Sequence, residues 1–430
     1  MKKFRSTFIA FIAALALCGC TATISKPNAE TAADTTISKT EVTEAPSEAV
    51  SENETTNENT DETDDPDAPE DDITDDITDD MTDDAEEPSG ELDFSSAEAL
   101  LASMTDEQKV GQIILGRFPS DGAADTMSKY HLGGYTLYAS DFQNEFPDTM
   151  AEKTAKIQAA AEIPAFLATD EEGGTVVRVS KFPQYRLSPF TSQIVLARDG
   201  EDAVRDENIE KAELLLSLGI NFNLAPVADI TENHSDYIYD RTFGENTENT
   251  AKYVAAAVEG MTEGSIMSCL KHFPGYGPNV DTHTGSANDD RSRSSFENTD
   301  FIPFQSGIDA GAPAVMVNHN VVSAFDSESP ASLSAEVHSV LRDELNFEGI
   351  ILTDDLGMDA ITNFAAEADE SPYVLAVNAG NDMLCTSDIE SAYNDVLAAL
   401  SDGRIDSEQL DASVLRILKA KGRFGIIEFE

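Results

Sequence analysis

"GIILTDD", Gly349–Asp355, runs from a glycine through four β-favouring residues and stops on two carboxylates. Ile350 to Thr353 make it a candidate strand, and Asp354 and Asp355 stand at its carboxyl end. Seven further runs have the same build: GQIILGRF (111–118), GGYTLYA (133–139), PAFLATD (164–170), NFNLAPVADI (221–230), IMSCLKHF (266–273), PAVMVNHNVV (313–322) and NDMLCT (381–386). Most gaps between them hold helix-like stretches, among them TMAEKTAKIQAAAE (149–162), VRDENIEKAELLLSLG (204–219), NTAKYVAAAVEGMTEG (249–264), SAEVHSVLRDELN (334–346) and IESAYNDVLAALSDG (389–403). Short strands alternating with helices predict an α/β fold, a parallel sheet closed as a (β/α)8 TIM-type barrel in a single catalytic domain. A doubly wound open sheet is the alternative, disfavoured because no G-x-G-x-x-G follows any run.

Polar residues gather at the same end of these runs. Asp170 closes FLATD, Asp229 closes LAPVAD, Lys271 and His272 end SCLKH, and Asn318 and His319 end VMVNH. Barrel enzymes place their chemistry at the carboxyl ends of strands, so these positions, with Asp354 and Asp355, predict an active site.

Composition divides the chain. The 430 residues carry a formal net charge of -55. Residues 1–20 read as an export signal: Lys2, Lys3 and Arg5 precede an apolar run from Phe8 to Leu17 that is too short to span a bilayer. Its end, Leu17-Cys18-Gly19-Cys20, is similar to a bacterial lipobox, which makes Cys20 the expected lipidation site and the membrane a partner through an N-terminal lipid anchor. Residues 21–94 hold only Lys26 and Lys39 against a dense run of acids, including the repeat DDITDDITDDMTDD (71–84). Too little apolar area is available there to offset chain entropy, so a disordered acidic linker is expected. Residues 95–430 are globular in composition and still acidic, which argues against nucleic acid as a partner. Cys269 and Cys385 are read as two buried free thiols rather than a disulfide framework.

Two chemistries suit the polar ends. Glycoside hydrolysis needs a carboxylate beside the anomeric carbon and a proton donor beside the leaving oxygen. Metal hydrolysis would gather His272, Asp281, His283 and His319 around zinc, but Asp281 and His283 sit inside a glycine- and proline-broken loop, a poor place for a preformed metal site.

At this point the residues resemble a known family. KHFPGYG…DTH, Lys271 to His283, is similar to the KHFPGHG…DSH signature of glycoside hydrolase family 3, in its single-domain β-N-acetylhexosaminidase branch. MTDEQKVGQIILGRF, ATDEEGGTVVRV, NFNLAPVADI, YDRTFGEN, PASLS and ILTDDLGMDAI resemble further motifs of that family, so the likeness covers nearly all of 95–430. It implies that Asp354 is the nucleophile of a retaining mechanism, with His283 as acid/base and Asp281 as its paired carboxylate. Asp170, Arg178, Arg241, Lys271 and His272 match positions that bind the sugar. No metal or organic cofactor is implied. An imidazole titrating near neutrality can give a proton and take it back, and a neighbouring carboxylate fixes its tautomer.

Several positions keep bland alternatives. Asp355 is a rival nucleophile or a loop brace, Asp229 a helix cap or barrel brace, and Asn318 and His319 line the pocket or satisfy buried backbone. Arg241 could simply pair with Asp240. His131, His234 and His338 read as surface or packing residues. Tyr276 stands where the signature has histidine, and the spacing from Gly277 to Asp281 is one residue shorter than is common. No second domain follows in this sequence, so the acid/base is expected from the barrel's own loop. These features predict a lipid-anchored, extracytoplasmic β-N-acetylhexosaminidase acting on peptidoglycan or chitin-like carbohydrate. A β-glucosidase, a GlcNAc phosphorylase and a non-catalytic sugar-binding lipoprotein are the alternatives. The aglycone and the oligomeric state are not legible in the sequence.

Overall fold

The structure, a computed structural model, describes residues 92–279 and 287–430. Cys20, most of the acidic linker, Asp281 and His283 lie outside the described residues. Among those described, ten strands form: β1 (Ile114–Arg117), β2 (Gly134–Leu137), β3 (Phe166–Thr169), β4 (Phe222–Asn223), β5 (Cys269–Phe273), β6 (Asn288–Asp289), β7 (Ala314–Val317), β8 (Val321–Val322), β9 (Ile350–Thr353) and β10 (Leu384–Thr386). Every apolar run singled out in the sequence contains at least one of them; PAVMVNHNVV holds two, β7 and β8, and β8 pairs with β6 as a small separate ladder.

The fold is α/β, and all the strand ladders are parallel. One sheet has the order β10-β1-β2-β3-β4 and a second the order β5-β7-β9. Single parallel bridges, Phe222 with Met267 and Val227 with Lys271, tie the β4 side to β5, and Leu352 with Met383 ties β9 to β10. Close approach demands glycine between β2 and β3: a Cβ on Gly134 would lie 2.3 Å from the Phe166 carbonyl oxygen, so β2 could not meet β3 in this register.

Helices connect the strands. Pro147–Ala160, Glu201–Ser217, Thr247–Glu263 and Ile389–Ser401 cover four of the expected stretches. The fifth runs as Ala335–Ser339 and widens into a π turn over Val340–Glu344. Phe301–Asp309 is a helix the sequence hid, because Pro303 and Gly307 interrupt its pattern. Pro303 sits in the first turn, where no intrahelical N–H bond is lost.

Side chains alternate along the strands, and the two faces do different work. Leu270, Val315, Val317 and Ile351 face outward into one apolar cluster with Phe273, Phe301 and Phe304. Phe273 stacks on Phe301 at 5.6 Å and meets Phe304 edge-on at 5.2 Å. The alternate residues Arg117, Thr136, Lys271, Met316 and Cys385 point into a common cavity. Cys269 and Cys385 are buried and free, as expected. Leu92 and Phe94 also pack on the core, and the Glu430 N–H donates to the Phe94 carbonyl at 3.1 Å.

Candidate active site

The cavity holds about 550 Å3, and the carboxyl ends of eight parallel strands line it. Leu115 and Arg117 come from β1, Thr136 from β2, and Lys271 and His272 from β5. Met316 lies on β7, and Cys385 and Thr386 on β10. Asp170 follows β3, Leu224 follows β4, and Asp354 and Asp355 follow β9. Every expected catalytic or sugar-contact residue within the described chain lines this space: Asp354, Asp170, Arg178, Arg241, Lys271 and His272.

An ionic cluster forms one part of the wall. Lys271 Nζ lies 2.7 Å from both Asp170 Oδ1 and Glu172 Oε1. Glu172 in turn accepts from Arg241 through two bonds, Nε at 3.0 Å and Nη2 at 2.8 Å. Arg241 therefore pairs with Glu172, a residue 69 positions away in sequence, rather than with its neighbour Asp240. Burial opposes charge on Glu172, Lys271 and Arg241, but the pairing wins. Arg241 and Lys271 hold the Glu172 carboxyl well below its ordinary range, and Asp170 and Glu172 push the Lys271 ammonium up. Arg178 reaches Asp170 at 3.8 Å, and its Nε, though buried, finds no hydrogen-bond partner among the described residues.

His272 is fixed at both ring nitrogens. Nδ1 lies 2.8 Å from Asp229 Oδ2, and Nε2 lies 3.2 Å from Arg241 Nη2. Arginine can only donate, so Nε2 accepts and the proton sits on Nδ1, facing the carboxylate. Asp229 also takes the His272 N–H at 3.1 Å and, through its other oxygen, the Tyr276 N–H at 2.7 Å. It is thus the brace of this strand end. Asn318 donates to the His272 carbonyl at 3.1 Å and accepts the Asn320 N–H, which makes it a satisfier of buried backbone.

Asp354 and Asp355 separate in role. Asp354 keeps partial exposure to the cavity, and its Oδ1 accepts the Asp355 N–H at 2.8 Å. Burial raises its pKa, but His319, His272, the Asp355 N–H and Lys271 outweigh that and leave the carboxyl below its ordinary range. Asp355 accepts the Gly357 N–H at 2.9 Å through Oδ1, bracing the turn that leads to Met358. His319 lies behind this pair: Nε2 meets the Asp355 carbonyl at 3.0 Å, and Nδ1 meets Ser332 Oγ at 2.7 Å. His272 and His319, the described members of the zinc alternative, thus have both ring nitrogens engaged within the protein. His131 pairs with Glu162 at the surface, the His234 ring lies tilted against Tyr239, and His338 is buried; a surface or packing role is the expectation for all three.

Four contributors were missed in the sequence. Glu172 is the central anion of the cluster. Glu171, its neighbour, turns away and accepts the Arg178, Val179 and Ser180 N–H groups, closing the loop that carries Arg178. Gly173, at φ 105° and packed where a Cβ would meet the Thr191 carbonyl at 2.1 Å, lets the chain reverse directly after them. Lys211, from helix Glu201–Ser217, is buried and donates to the Glu172 carbonyl at 2.9 Å. The available signal was charge: Lys271 and Arg241, both placed at the sugar by their motifs, need more anions than Asp170 alone.

Comparison with known proteins agrees with the motifs. Residues 105–420 match the description "Glycosyl hydrolase family 3 N terminal domain". The chain is 30% identical over 331 residues to Beta-hexosaminidase A of Pseudoalteromonas piscicida, covering 69% of this chain and 54% of that protein. It is 34% identical over 278 residues to a Beta-hexosaminidase of Alkalilimnicola ehrlichii, covering 63% of this chain and 78% of that protein. Among solved structures it is similar to a glycoside hydrolase family 3 beta-N-acetylglucosaminidase from Paenibacillus sp. str. FPU-7, at TM-score 0.70 and 30% identity over 75% of this chain and 63% of that one. The chain thus spans about half the length of the first of these relatives. The match over residues 105–420, most of the described body, places the chain as a member of glycosyl hydrolase family 3.

Proposed function

We propose that this chain is a retaining β-N-acetylhexosaminidase. It hydrolyses terminal, non-reducing β-linked GlcNAc from peptidoglycan or chitin-like fragments through a covalent glycosyl-enzyme on Asp354. The carrying observation is an Asp354 carboxyl held below its ordinary pKa range, partly exposed, in the same cavity as the Lys271–Asp170–Glu172–Arg241 cluster. An ionised carboxylate attacks the anomeric carbon as the glycosidic bond breaks and the aglycone oxygen takes a proton from the acid, leaving a glycosyl ester with inversion; water, losing a proton back to that group, then displaces the carboxylate with a second inversion, giving net retention. Each of Asp354 and Asp355 gives one oxygen to a backbone N–H, so the choice of Asp354 over Asp355 rests on its place in the motif.

The cluster's chemistry suits sugar hydroxyls. Lys271 and Arg241 donate charge-assisted hydrogen bonds and Asp170 accepts them. The buried Arg178 Nε wants an acceptor, and a hydroxyl or acetamide carbonyl oxygen would supply it. The acid/base roles of His283 and Asp281 rest on the motif resemblance. The hexosaminidase names of the relatives support the sugar specificity over a β-glucosidase.

The eight parallel strands are read as one closed (β/α)8 barrel. The bridges that join the two sheets support this, as does one cavity drawing on all eight strand ends. The lipid anchor at Cys20, the acidic linker over 21–94 and an extracytoplasmic location rest on the sequence pattern. Palmitate labelling that disappears in Cys20→Ala is the expected result for the anchor.

A panel of p-nitrophenyl glycosides tests the activity. The wild type should prefer β-GlcNAc, and Asp354→Asn should lose on the order of 10^4-fold in kcat. Preference for β-glucosides, or GlcNAc 1-phosphate formed in phosphate buffer, would favour the other family chemistries. Sugar binding without turnover would favour a binding protein. An Asp354→Asn variant with full activity would remove the nucleophile assignment.

A further inference from the structure

Tyr237, just before the short turn Tyr239–Arg241, lines the cavity while remaining 43% exposed. Its ring centroid lies 5.7 Å from that of Tyr276, tilted by 40°. Tyr276 is only 3% exposed, packs with Val227 and Ile238, and meets the His272 ring edge-on at 5.8 Å. Asp229 anchors both ends of that contact, taking the Tyr276 N–H and His272 Nδ1. Three rings therefore stand in a fixed series, from the buried ionic cluster to solvent. Tyr276 occupies the place where the signature this chain resembles has a histidine, so the aromatic series is a feature of this sequence. Asp240, three residues beyond Tyr237, is exposed at the same cavity.

We propose that Tyr237 is the stacking platform of an aglycone subsite, which takes an uncharged pyranose ring on the leaving-group side of the scissile bond. One face of a β-linked pyranose is a patch of C–H groups, and an exposed aromatic ring covers it at low conformational cost. The platform is preorganised, because Tyr276 and Ile238 hold the backbone on which Tyr237 sits. Asp240 accepts hydrogen bonds from sugar hydroxyls and disfavours a carboxylate at the same place. The subsite rests on the glycosidase reading of the cavity given above.

The test compares N,N′-diacetylchitobiose with methyl β-GlcNAc, which lacks the second ring. Tyr237→Ala should lower kcat/KM for the disaccharide about fivefold more than for the methyl glycoside, and Tyr237→Phe should restore the difference. Equal losses on both substrates, or none on either, would overturn the platform. Calorimetry in an Asp354→Asn background, with chitobiose and cellobiose as probes, separates this from failure of the hexosaminidase reading. A wild type that cleaves no β-GlcNAc compound, with disaccharide affinity still weakened by Tyr237→Ala, sinks that reading and keeps the subsite. Affinity indifferent to Tyr237 sinks the subsite whatever the activity.

Discussion

Lys271 and Lys421 are both fully buried, and their surroundings could hardly differ more. Lys271 sits at the carboxyl ends of the strands between two carboxylates, each 2.7 Å away. Lys421, from helix Ser407–Arg423, reaches the amino ends of the strands. There it meets the Gln112 amide oxygen at 2.7 Å and the face of Phe166 at 4.9 Å. Burial opposes charge at both, but anions push the Lys271 ammonium up, whereas burial alone pulls Lys421 down to about 7. The contrast separates burial from function. At one end of the strands the interior builds a charge network around a cavity; at the other it tolerates a single amine beside one neutral acceptor.

The strongest way to break the contrast is Lys271→Met. Two carboxylates, Asp170 and Glu172, would lose their shared cation in a closed site. Breaking a buried pair costs about 3–5 kcal/mol, which should lower Tm by roughly 10 °C and abolish sugar binding together. Differential scanning calorimetry and a binding titration read both. Unchanged Tm would mean that the cluster contributes no net stability.

Lys421→Met should act in the opposite direction and stabilise the fold by about 1–4 kcal/mol below pH 7, less the donor that Gln112 loses. The sign follows from proton counts. Between about pH 7 and the ordinary lysine range the folded chain holds this amine neutral while the unfolded chain binds a proton, so wild-type stability rises with pH across that window. Below about 7 both states are protonated and the folded state carries the full desolvation cost. Denaturant titrations at pH 6 and pH 9 should therefore show a larger gain at pH 6. An equal gain at both would mean that the substitution acts through packing rather than charge.

The same contrast marks what the sequence disclosed. The strand runs were legible because their apolar residues are continuous, as in GIILTDD, and their polar ends fell in phase. Asp354, Asp170, Lys271, His272, Arg178 and Arg241 were legible for that reason and through their motifs. Glu172 was not. Asp170, Glu171 and Glu172 are consecutive acids, and only the reversal at Gly173 decides that Glu172 meets the cations while Glu171 caps its own loop. Lys421 was hidden too, because a lysine in the last turn of a helix ordinarily reads as an exposed cation favoured by the helix dipole. In this fold that turn lies over Gln112 and Phe166, a tertiary fact no local pattern carries.

A milder change sharpens the picture at the carboxyl ends. Asp229→Asn keeps the shape of the brace but removes its charge, and its amide NH2 then faces either the two donors of His272 or the Tyr276 N–H. The expected cost is about 1–2 kcal/mol in unfolding free energy. A weaker hold on the His272 tautomer should also raise KM more than it lowers kcat. A fall in kcat with KM untouched would place His272 in the chemical step instead of in sugar binding.

The smallest expected effect concerns His319, which does not line the cavity itself but touches the proposed nucleophile's neighbour from behind. Its Nε2 faces the Asp355 carbonyl, so that nitrogen must carry a proton, and Ser332 Oγ faces the other. After burial, which raises the Asp354 pKa, His319 is the strongest influence holding that carboxyl down. In His319→Asn the Asp354 pKa should move up, toward what burial alone would set. The acid limb of kcat/KM reports ionisation in the free enzyme, so it should shift to higher pH, with little change at neutrality where the carboxylate is charged in either case. A lowered kcat/KM with an unmoved acid limb would make His319 a packing residue. A moved limb would extend the lesson of the two lysines to the nucleophile, whose charge state is set by the groups held against it and not by its depth.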